Sequence, residues 1–197
     1  MRIINVDQRS PEWYAARLGV PSASNFAKVV TPGGKKSTQV ESYLNRLVAD
    51  IITGRSDQQE PNEAMQRGTE LEPEARSYYE LIMGPVEEVG FCIHDDGFGC
   101  SPDGMVGDDG LLEIKCPLAH THVEYLRDDC IPSIYVPQVQ GQLLVTGRKW
   151  CDFLSYHPDM KPLLVRVERD EKFCATLHEA LKELVENIKI NVEAFKK

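Results

Sequence analysis

The sequence has no apolar run that approaches the roughly 20 residues a helix needs to cross a bilayer. Its first residues, Met1 to Asp7, also carry no apolar segment of the kind found in secretory signal peptides. With 42% hydrophobic and 27% charged residues, the composition is not that of a disordered chain either. We therefore expect a globular cytoplasmic protein, with residues 1–197 forming one domain.

Paired cysteine motifs are also missing. The six cysteines show no C-x-x-C pair and no spacing typical of a zinc site. We expect buried, reduced thiols that pack as small apolar side chains. Among the five histidines, His120 and His122 form an H-x-H pair, but no third ligand follows at a telling spacing. The histidines are therefore expected to be solvated or core residues. They are His94, His120, His122, His157 and His178.

The chain has no excess of positive charge. Its 22 Lys and Arg residues stand against 31 Asp and Glu residues, a net charge of −9. This balance argues against a surface that coats DNA, so a DNA enzyme of this composition must confine its positive field to a ring or channel. The candidates for that field are Arg17, Lys28, Lys35, Lys36, Arg46, Arg127, Arg148 and Lys149. For Lys35 and Lys36, an ordinary solvated turn is the alternative.

One dense polar motif is present, Ser-Pro-Asp-Gly at 101–104 followed by Leu-Leu-Glu-Ile-Lys-Cys-Pro at 111–117. In a strand, Glu113 and Lys115 point to one face while the residue between them points to the other. Asp103 precedes them, and the intervening Asp-Gly step is a strong turn signal. The motif therefore predicts a hairpin that brings two carboxylates and an ammonium group into one small volume.

Oxygen ligands of this kind suit a hard divalent cation, Mg²⁺ or Mn²⁺. Such a cation lowers the pKa of a bound water and offsets the charge that develops on phosphoryl oxygens during phosphodiester hydrolysis. Lys115 would orient that water or stabilise the pentavalent state. The alternative is an exposed hairpin with a surface Glu-x-Lys pair, which is a common pattern.

The complete string resembles the active-site sequence of the PD-(D/E)xK nucleases, and among them the lambda-exonuclease or YqaJ-type viral recombinases. The resemblance covers most of the chain. It implies an α/β fold with a restriction-endonuclease-like core, in which helices flank a central mixed β-sheet. It also implies that Asp103 and Glu113 bind the metal together with the backbone carbonyl of Ile114.

The segment from Trp13 to Ser24 resembles the family's opening segment, in which an arginine and a serine hold the 5′ phosphate of a DNA end. Arg17 and Ser24 inherit those roles, and Ser101 also approaches the phosphate. A guanidinium makes bidentate contacts to phosphate, and a serine at a helix start offers a hydroxyl beside free backbone N–H groups. The alternative is that Ser24 only caps a helix beginning near Asn25 and that Arg17 is solvated.

Two further segments each supply a polar side chain. The segment Gly68 to Glu72 resembles the family's acidic helix, so Glu72 is expected to complete the metal site or its water shell. A solvated surface position is the alternative for this glutamate. The segment Tyr135 to Gln140 resembles the helix that follows the active-site strands. Gln138 would contact the attacking water or the scissile phosphate, and Gln142 lies one turn further on the same face.

By this resemblance the protein is a processive, Mg²⁺-dependent exonuclease that acts on linear double-stranded DNA with a 5′-phosphorylated end. It would degrade one strand in the 5′ to 3′ direction, release mononucleotides and leave a 3′ tail for recombination by single-strand annealing. A homotrimeric ring around the duplex and a single-strand annealing protein as partner are also implied. The alternatives are an endonuclease of restriction or repair type and a catalytically silent DNA-end binding protein.

The rest of the hydrophobic pattern predicts the helices and strands that support the site. Apolar residues at the helical period predict a helix from Val40 to Thr53 and a long last helix from about Lys172 to Phe195, whose stripe is expected to pack in the core. Gly84-Pro85 ends a helix predicted from about Glu72, and the following alternation predicts a strand over 86–94. Further predicted elements are a helix near 121–127, a helix containing Gln138, and strands near 150–156 and 163–168.

Overall fold

Two β-sheets and six α-helices form the part of the chain that the computed structural model describes, residues 1–56 and 63–197. The first sheet contains β1 (Arg2–Ile4), β2 (Phe91–Ile93) and β3 (Gly99–Cys100). The second contains β4 (Gly104–Val106), β5 (Gly110–Lys115), β6 (Trp150–Ser155) and β7 (Leu163–Glu168). The helices are α1 (Pro11–Arg17), α2 (Val40–Thr53), α3 (Glu63–Met83), α4 (Ala119–Asp128), α5 (Val136–Thr146) and α6 (Glu171–Phe195), with 3-10 turns at Ala23–Lys28 and Ser133–Tyr135.

The second sheet is mixed, because β5 and β6 run parallel while the other neighbouring strands run antiparallel. Helix α3 covers one face, where Ala75 and Tyr79 pack with Leu112 and Ile114 of β5. The other face belongs to the larger core, in which Leu111 packs with residues of α2, α5 and α6. β5 is therefore buried on both faces, and the predicted mixed sheet flanked by helices is confirmed.

The hairpin of β4 and β5 positions the polar motif. Its turn contains Gly107 at a φ of 51°, a left-handed conformation that favours glycine. Gly104 pairs with Leu112, and the backbone N–H of Asp103 donates to the Leu112 carbonyl at 3.1 Å. This register places Asp103 beside Glu113, so the predicted hairpin is confirmed.

Helix α3 begins well before the start that the sequence predicts. It starts at Glu63, and Pro73 lies inside it rather than in its first turn. The guanidinium of Arg67 anchors the N-terminal half of the helix, donating to the carbonyls of Cys116 and Pro117 at 3.1 and 2.8 Å. Tertiary contacts of this kind offset the backbone hydrogen bond that a proline inside a helix removes.

The strand predicted over 86–94 is much shorter, since β2 contains only three residues. The preceding segment crosses to the other sheet, where Glu87 forms an isolated bridge with Met105. The alternating residues of segment 86–94 therefore belong to two pairings, one with β4 of the second sheet and one within the first sheet. At Gly90 the backbone passes so close to the N-terminal segment that a Cβ atom would lie 2.3 Å from the carbonyl oxygen of Val6.

The other predicted elements are confirmed to within a few residues. Helix α2 ends at Gly54 with a φ of 68°, and α6 begins at Asp170, whose carboxylate accepts from the Phe173 N–H at 2.9 Å. The apolar stripe of α6 lies in the larger core from Phe173 to Ile188, as expected, but Phe195 at its end is exposed. Four cysteines are buried, but Cys116 is only partly buried and Cys130, in the turn after α4, is exposed. No helix among the described residues combines the length and apolarity needed to span a membrane.

Gly141 allows α5 to pack closely against the 3-10 turn Ala23–Lys28. A Cβ atom at this position would lie 2.2 Å from Cδ2 of the buried Phe26 ring. We expect Gly141→Ala to lower the free energy of unfolding by about 1–3 kcal/mol, because the helix or the ring must move. Gly33→Ala is the control, since a Cβ atom there meets nothing within 4 Å. Urea unfolding measures both variants, and equal stability would contradict the close packing.

Candidate active site

A cavity of about 560 Å³ opens between α1, α3, α5 and the end of β5. Its volume is in the range of a small-ligand site. All nine residues that the sequence predicts for the site line this cavity. They are Arg17, Ser24, Glu72, Ser101, Asp103, Glu113, Ile114, Lys115 and Gln138.

Glu113 is the most buried acidic group of the cavity, with 1% of its surface exposed. Its Oε1 atom accepts hydrogen bonds from Nζ of Lys115 and from Nε2 of Gln138, the latter at 2.6 Å. Its Oε2 atom accepts from Nε2 of Gln142, also at 2.6 Å. Three donors therefore satisfy a carboxylate that is almost fully buried, so the alternative of an exposed surface Glu-x-Lys pair is wrong.

Asp103 completes the acidic pair. Its Oδ2 atom accepts from the backbone N–H of Ile114 at 2.6 Å. Burial, and after it the nearby charge of Glu113, raise the pKa of Asp103 well above its usual value. Burial alone would lower the pKa of Lys115, but the carboxylates of Glu113 and Asp103 outweigh it and raise that pKa overall. The lysine therefore remains protonated beside two crowded carboxylates.

The donor set fits a hard divalent cation. Asp103, Glu113 and Ile114 all line the cavity, and the side chain of Ile114 is buried in the smaller core, so its backbone carbonyl is the group it can offer to a cation. Burial and, after it, the nearby charge of Glu113 raise the pKa of Asp103, and a cation at this position would offset both effects. Carboxylate and carbonyl oxygens are the ligands that Mg²⁺ and Mn²⁺ prefer.

Glu72 occupies an ion-paired position at the edge of the same cavity. Its Oε1 atom accepts from Nη2 of Arg76 at 3.1 Å, and its Oε2 atom accepts from Arg9. The other Nη atom of Arg76 donates to the backbone carbonyl of Asp103, which joins α3 to the polar motif. With 16% of its side chain exposed, Glu72 is not the solvated surface residue of the alternative interpretation.

Arg17 lies in a second cluster of polar groups within the cavity. Its guanidinium lies 4.1 Å from the centroid of the Trp13 ring and donates to Oγ of Ser101 at 3.3 Å and to Oγ of Ser22 at 3.2 Å. Burial lowers the pKa of Arg17. Ser24 is exposed to the cavity, and its Oγ lies 3.5 Å from Oγ of Ser22. Ser22 rather than Ser24 occupies the N-cap position, so the cap interpretation is wrong.

Several residues of the site were not predicted. Trp13 donates from Nε1 to Oγ of Ser101 at 2.8 Å, and its i, i+4 spacing from Arg17 on one helix face was an available signal. Arg76 likewise lies four residues after Glu72 on one face of α3. For Arg9 the sequence contains no such signal, because its contact with α3 depends on how the N-terminal segment crosses the fold.

Three of the cations predicted to form a positive field have partners within the protein. Arg148 donates to backbone carbonyls of the β4–β5 hairpin at 2.7 and 2.8 Å and so has a structural role. Lys36 pairs with Glu183 at 3.1 Å, and Lys149 pairs with Asp109 at 2.8 Å. Lys36 and Lys149 form exposed ion pairs on the surface, and their part in a positive field around DNA stays a prediction.

The mixed sheet flanked by helices, with an acidic pair and a lysine at the end of one strand, defines a nuclease of the restriction-endonuclease-like class. The family model of the YqaJ-like viral recombinase domain matches residues 12–149, and the chain belongs to this family. No curated protein matches the chain.

Solved structures agree with this assignment. LHK-Exo, an alkaline exonuclease from Laribacter hongkongensis, is 41% identical with a TM-score of 0.86, over 95% of this chain and 96% of that chain. LHK-Exo in complex with dAMP matches at 40% identity with the same TM-score and the same coverage. A phage-related exonuclease from Haemophilus somnus 129PT, 14% identical, shares the fold with a TM-score of 0.72, over 89% of this chain and 96% of that chain.

Proposed function

We propose that this protein is an Mg²⁺-dependent exonuclease that acts on linear double-stranded DNA with a 5′-phosphorylated end. The observation that supports it is that one cavity contains both the acidic pair with its lysine and the arginine with its hydroxyl groups. Ser101 belongs to the second cluster and Asp103 to the first. Two residues of extended chain span at most about 7 Å, so both clusters lie within reach of one terminal nucleotide.

In this proposal Asp103, Glu113 and the Ile114 carbonyl hold Mg²⁺, for which Mn²⁺ can substitute. The cation supplies Lewis acidity for the attacking water and for the phosphoryl oxygens. Lys115 and Gln138 both donate to Oε1 of Glu113. Both donors therefore lie close to the position of a cation, and of its bound water, beside that oxygen. Lys115 stabilises the developing phosphoryl charge, Gln138 orients the water, and Glu72 completes the water shell of the cation.

Arg17, Ser24 and Ser101 bind the 5′ phosphate. A terminal phosphate monoester carries more negative charge than an internal diester and exposes more oxygens, so a guanidinium with hydroxyl groups favours the end of the strand. Trp13 fixes the plane of the guanidinium through the stacking contact. End recognition of this kind separates an exonuclease from an endonuclease with the same metal chemistry.

By resemblance to the family we also propose processive 5′ to 3′ degradation, release of mononucleotides, and a 3′ tail for single-strand annealing with a partner protein in the cytoplasm. The dAMP bound to LHK-Exo is a mononucleotide, which supports this form of product.

We further propose a homotrimeric ring around the duplex. The end of α3 supports a subunit contact, since Leu81, Ile82 and Met83 are 84%, 48% and 45% exposed. Mass measurement in solution, with and without a short duplex, tests the ring. A monomeric mass under both conditions would contradict it.

The function is tested with a linear duplex and a covalently closed circular plasmid of the same sequence. We expect Mg²⁺-dependent release of acid-soluble nucleotides from the linear duplex, no release in excess EDTA, and an intact circle. Nicking or linearisation of the circle would indicate an endonuclease. Retention of the duplex end without any release would indicate a catalytically silent end-binding protein.

A further inference from the structure

A second cluster of metal-binding side chains lies where the β2–β3 hairpin meets α6. One nitrogen each of His94 and His178 and one carboxylate oxygen of Asp96 all lie within 4.8 Å of one another. Nε2 of His178 is 2.6 Å from Oδ2 of Asp96, and Nδ1 of His94 is 3.5 Å from the same oxygen. None of the three residues lines the catalytic cavity.

The distances are close to those of a tetrahedral zinc site. With metal–ligand distances of about 2.0–2.2 Å, tetrahedral geometry places neighbouring ligand atoms about 3.3–3.6 Å apart. The contact of His94 with Asp96 already has this separation. The contact of His178 with Asp96 needs to open by about 1 Å or less, because a hydrogen bond now joins these groups.

The two imidazole rings are held in place by the buried Phe98 side chain. His94 stacks on the Phe98 ring at 4.5 Å with an interplanar angle of 7°, and His178 contacts it edge-on at 5.8 Å. The backbone N–H of Asp96 donates to Nδ1 of His94 at 3.2 Å, so this nitrogen acts as an acceptor, and a metal ion would take over the lone pair by displacing that hydrogen bond. Rings oriented in this way lose little freedom when a metal binds.

The ligand types predict the metal. Two imidazoles and one carboxylate are typical of Zn²⁺ and similar transition ions, whereas Mg²⁺ prefers oxygen ligands alone. The side chain of Asp96 is 40% exposed, which leaves a coordination position for water. Lys182 and Lys189 border the same surface depression and oppose a cation, but Asp95, Asp96 and Glu186 border it too.

We propose that His94, Asp96 and His178 bind one Zn²⁺ ion at a site separate from the catalytic cavity. The ion would clip the β2–β3 hairpin to α6. Because β3 ends at Cys100, the hairpin leads directly into Ser101 and Asp103, so the ion would also stiffen the segment that carries them.

The test is Zn²⁺ titration against a chromophoric chelator, in excess Mg²⁺ that competes for the carboxylate site. The full-length protein and its Asp103→Ala variant are both titrated, and one Zn²⁺ is expected to remain bound in each. His178→Ala and Asp96→Asn, each combined with Asp103→Ala, should weaken this binding by about tenfold or more. His120→Ala, which removes an exposed histidine of α4, should leave it unchanged.

Asp96→Asn distinguishes a metal ligand from a hydrogen-bond partner, because asparagine can still accept a hydrogen bond from His178. Undiminished Zn²⁺ affinity in this variant would overturn the proposal, as would the absence of tight Zn²⁺ binding in the Asp103→Ala protein. If His178→Ala does not fold, the Zn²⁺ affinity of Asp96→Asn alone tests the proposal. The readout does not involve nuclease activity, so its outcome is independent of the proposed function.

Discussion

Lys115→Ala is expected to abolish nucleotide release from linear duplex DNA while leaving DNA binding in place. The ammonium group donates to Glu113 and keeps a raised pKa beside both carboxylates, so it is charged where the proposed mechanism develops phosphoryl charge. Loss of one such donor typically costs about 10²- to 10³-fold in rate, and the loss of a positive charge adds to this cost. Single-turnover release of acid-soluble nucleotides measures the rate, and fluorescence anisotropy with a labelled duplex measures binding.

Lys172→Ala is the matched control for this variant. Lys172 is exposed near the start of α6, does not line the cavity and is not among the cations of the predicted positive field, so its removal should leave the rate unchanged. The unfolding midpoint of Lys115→Ala must also be measured, because Glu113 keeps only the two glutamine donors in that variant. Wild-type turnover in a folded Lys115→Ala protein would rule out the proposed mechanism.

Arg17→Ala is expected to remove the preference for 5′-phosphorylated over 5′-hydroxyl ends. The guanidinium is held by Trp13, Ser22 and Ser101, and hydrogen bonds to a charged group contribute about 1.5–3 kcal/mol. The ratio of initial rates on the two kinds of end should therefore fall by roughly 10- to 100-fold, mainly through slower cleavage of the phosphorylated substrate.

Two further variants separate charge from geometry at this position. Arg17→Lys keeps the charge but loses the bidentate fork and the planar stacking contact, so it should restore only part of the preference. Arg55→Ala, an exposed arginine outside the cavity, should keep the wild-type ratio. A phosphate preference that persists in Arg17→Ala would show that another group recognises the strand end.

The sequence predicted the centre of the site because its geometry is local. Strand alternation alone puts Glu113 and Lys115 on one face, and the Asp-Gly turn returns the chain so that Asp103 lies beside them. The spacing of Arg17 from Trp13 is local in the same way, although its significance was missed. For Gln142, the shared helix face with Gln138 was visible, but its bond to Glu113 was not.

The boundaries that were predicted wrongly depend on contacts between distant segments. Helix α3 extends through Pro73 because Arg67 is anchored to the residues that follow β5. The hydrophobic periodicity of the sequence cannot predict that contact. The segment 86–94 divides between two sheets for a similar reason, since Glu87 pairs with Met105 while β2 pairs with β1 and β3.

The cluster of His94, Asp96 and His178 is the clearest example of a contact between distant segments that the sequence does not predict. His94 and His178 are separated by more than 80 residues, and only the packing of the β2–β3 hairpin against α6 brings them to Asp96. By itself, the sequence of this protein determined which side chains form the candidate site and how neighbours along one strand or helix are oriented, because backbone geometry sets those relations. Only the tertiary structure decided which distant groups pair, since burial and steric fit select those contacts from many that local geometry allows.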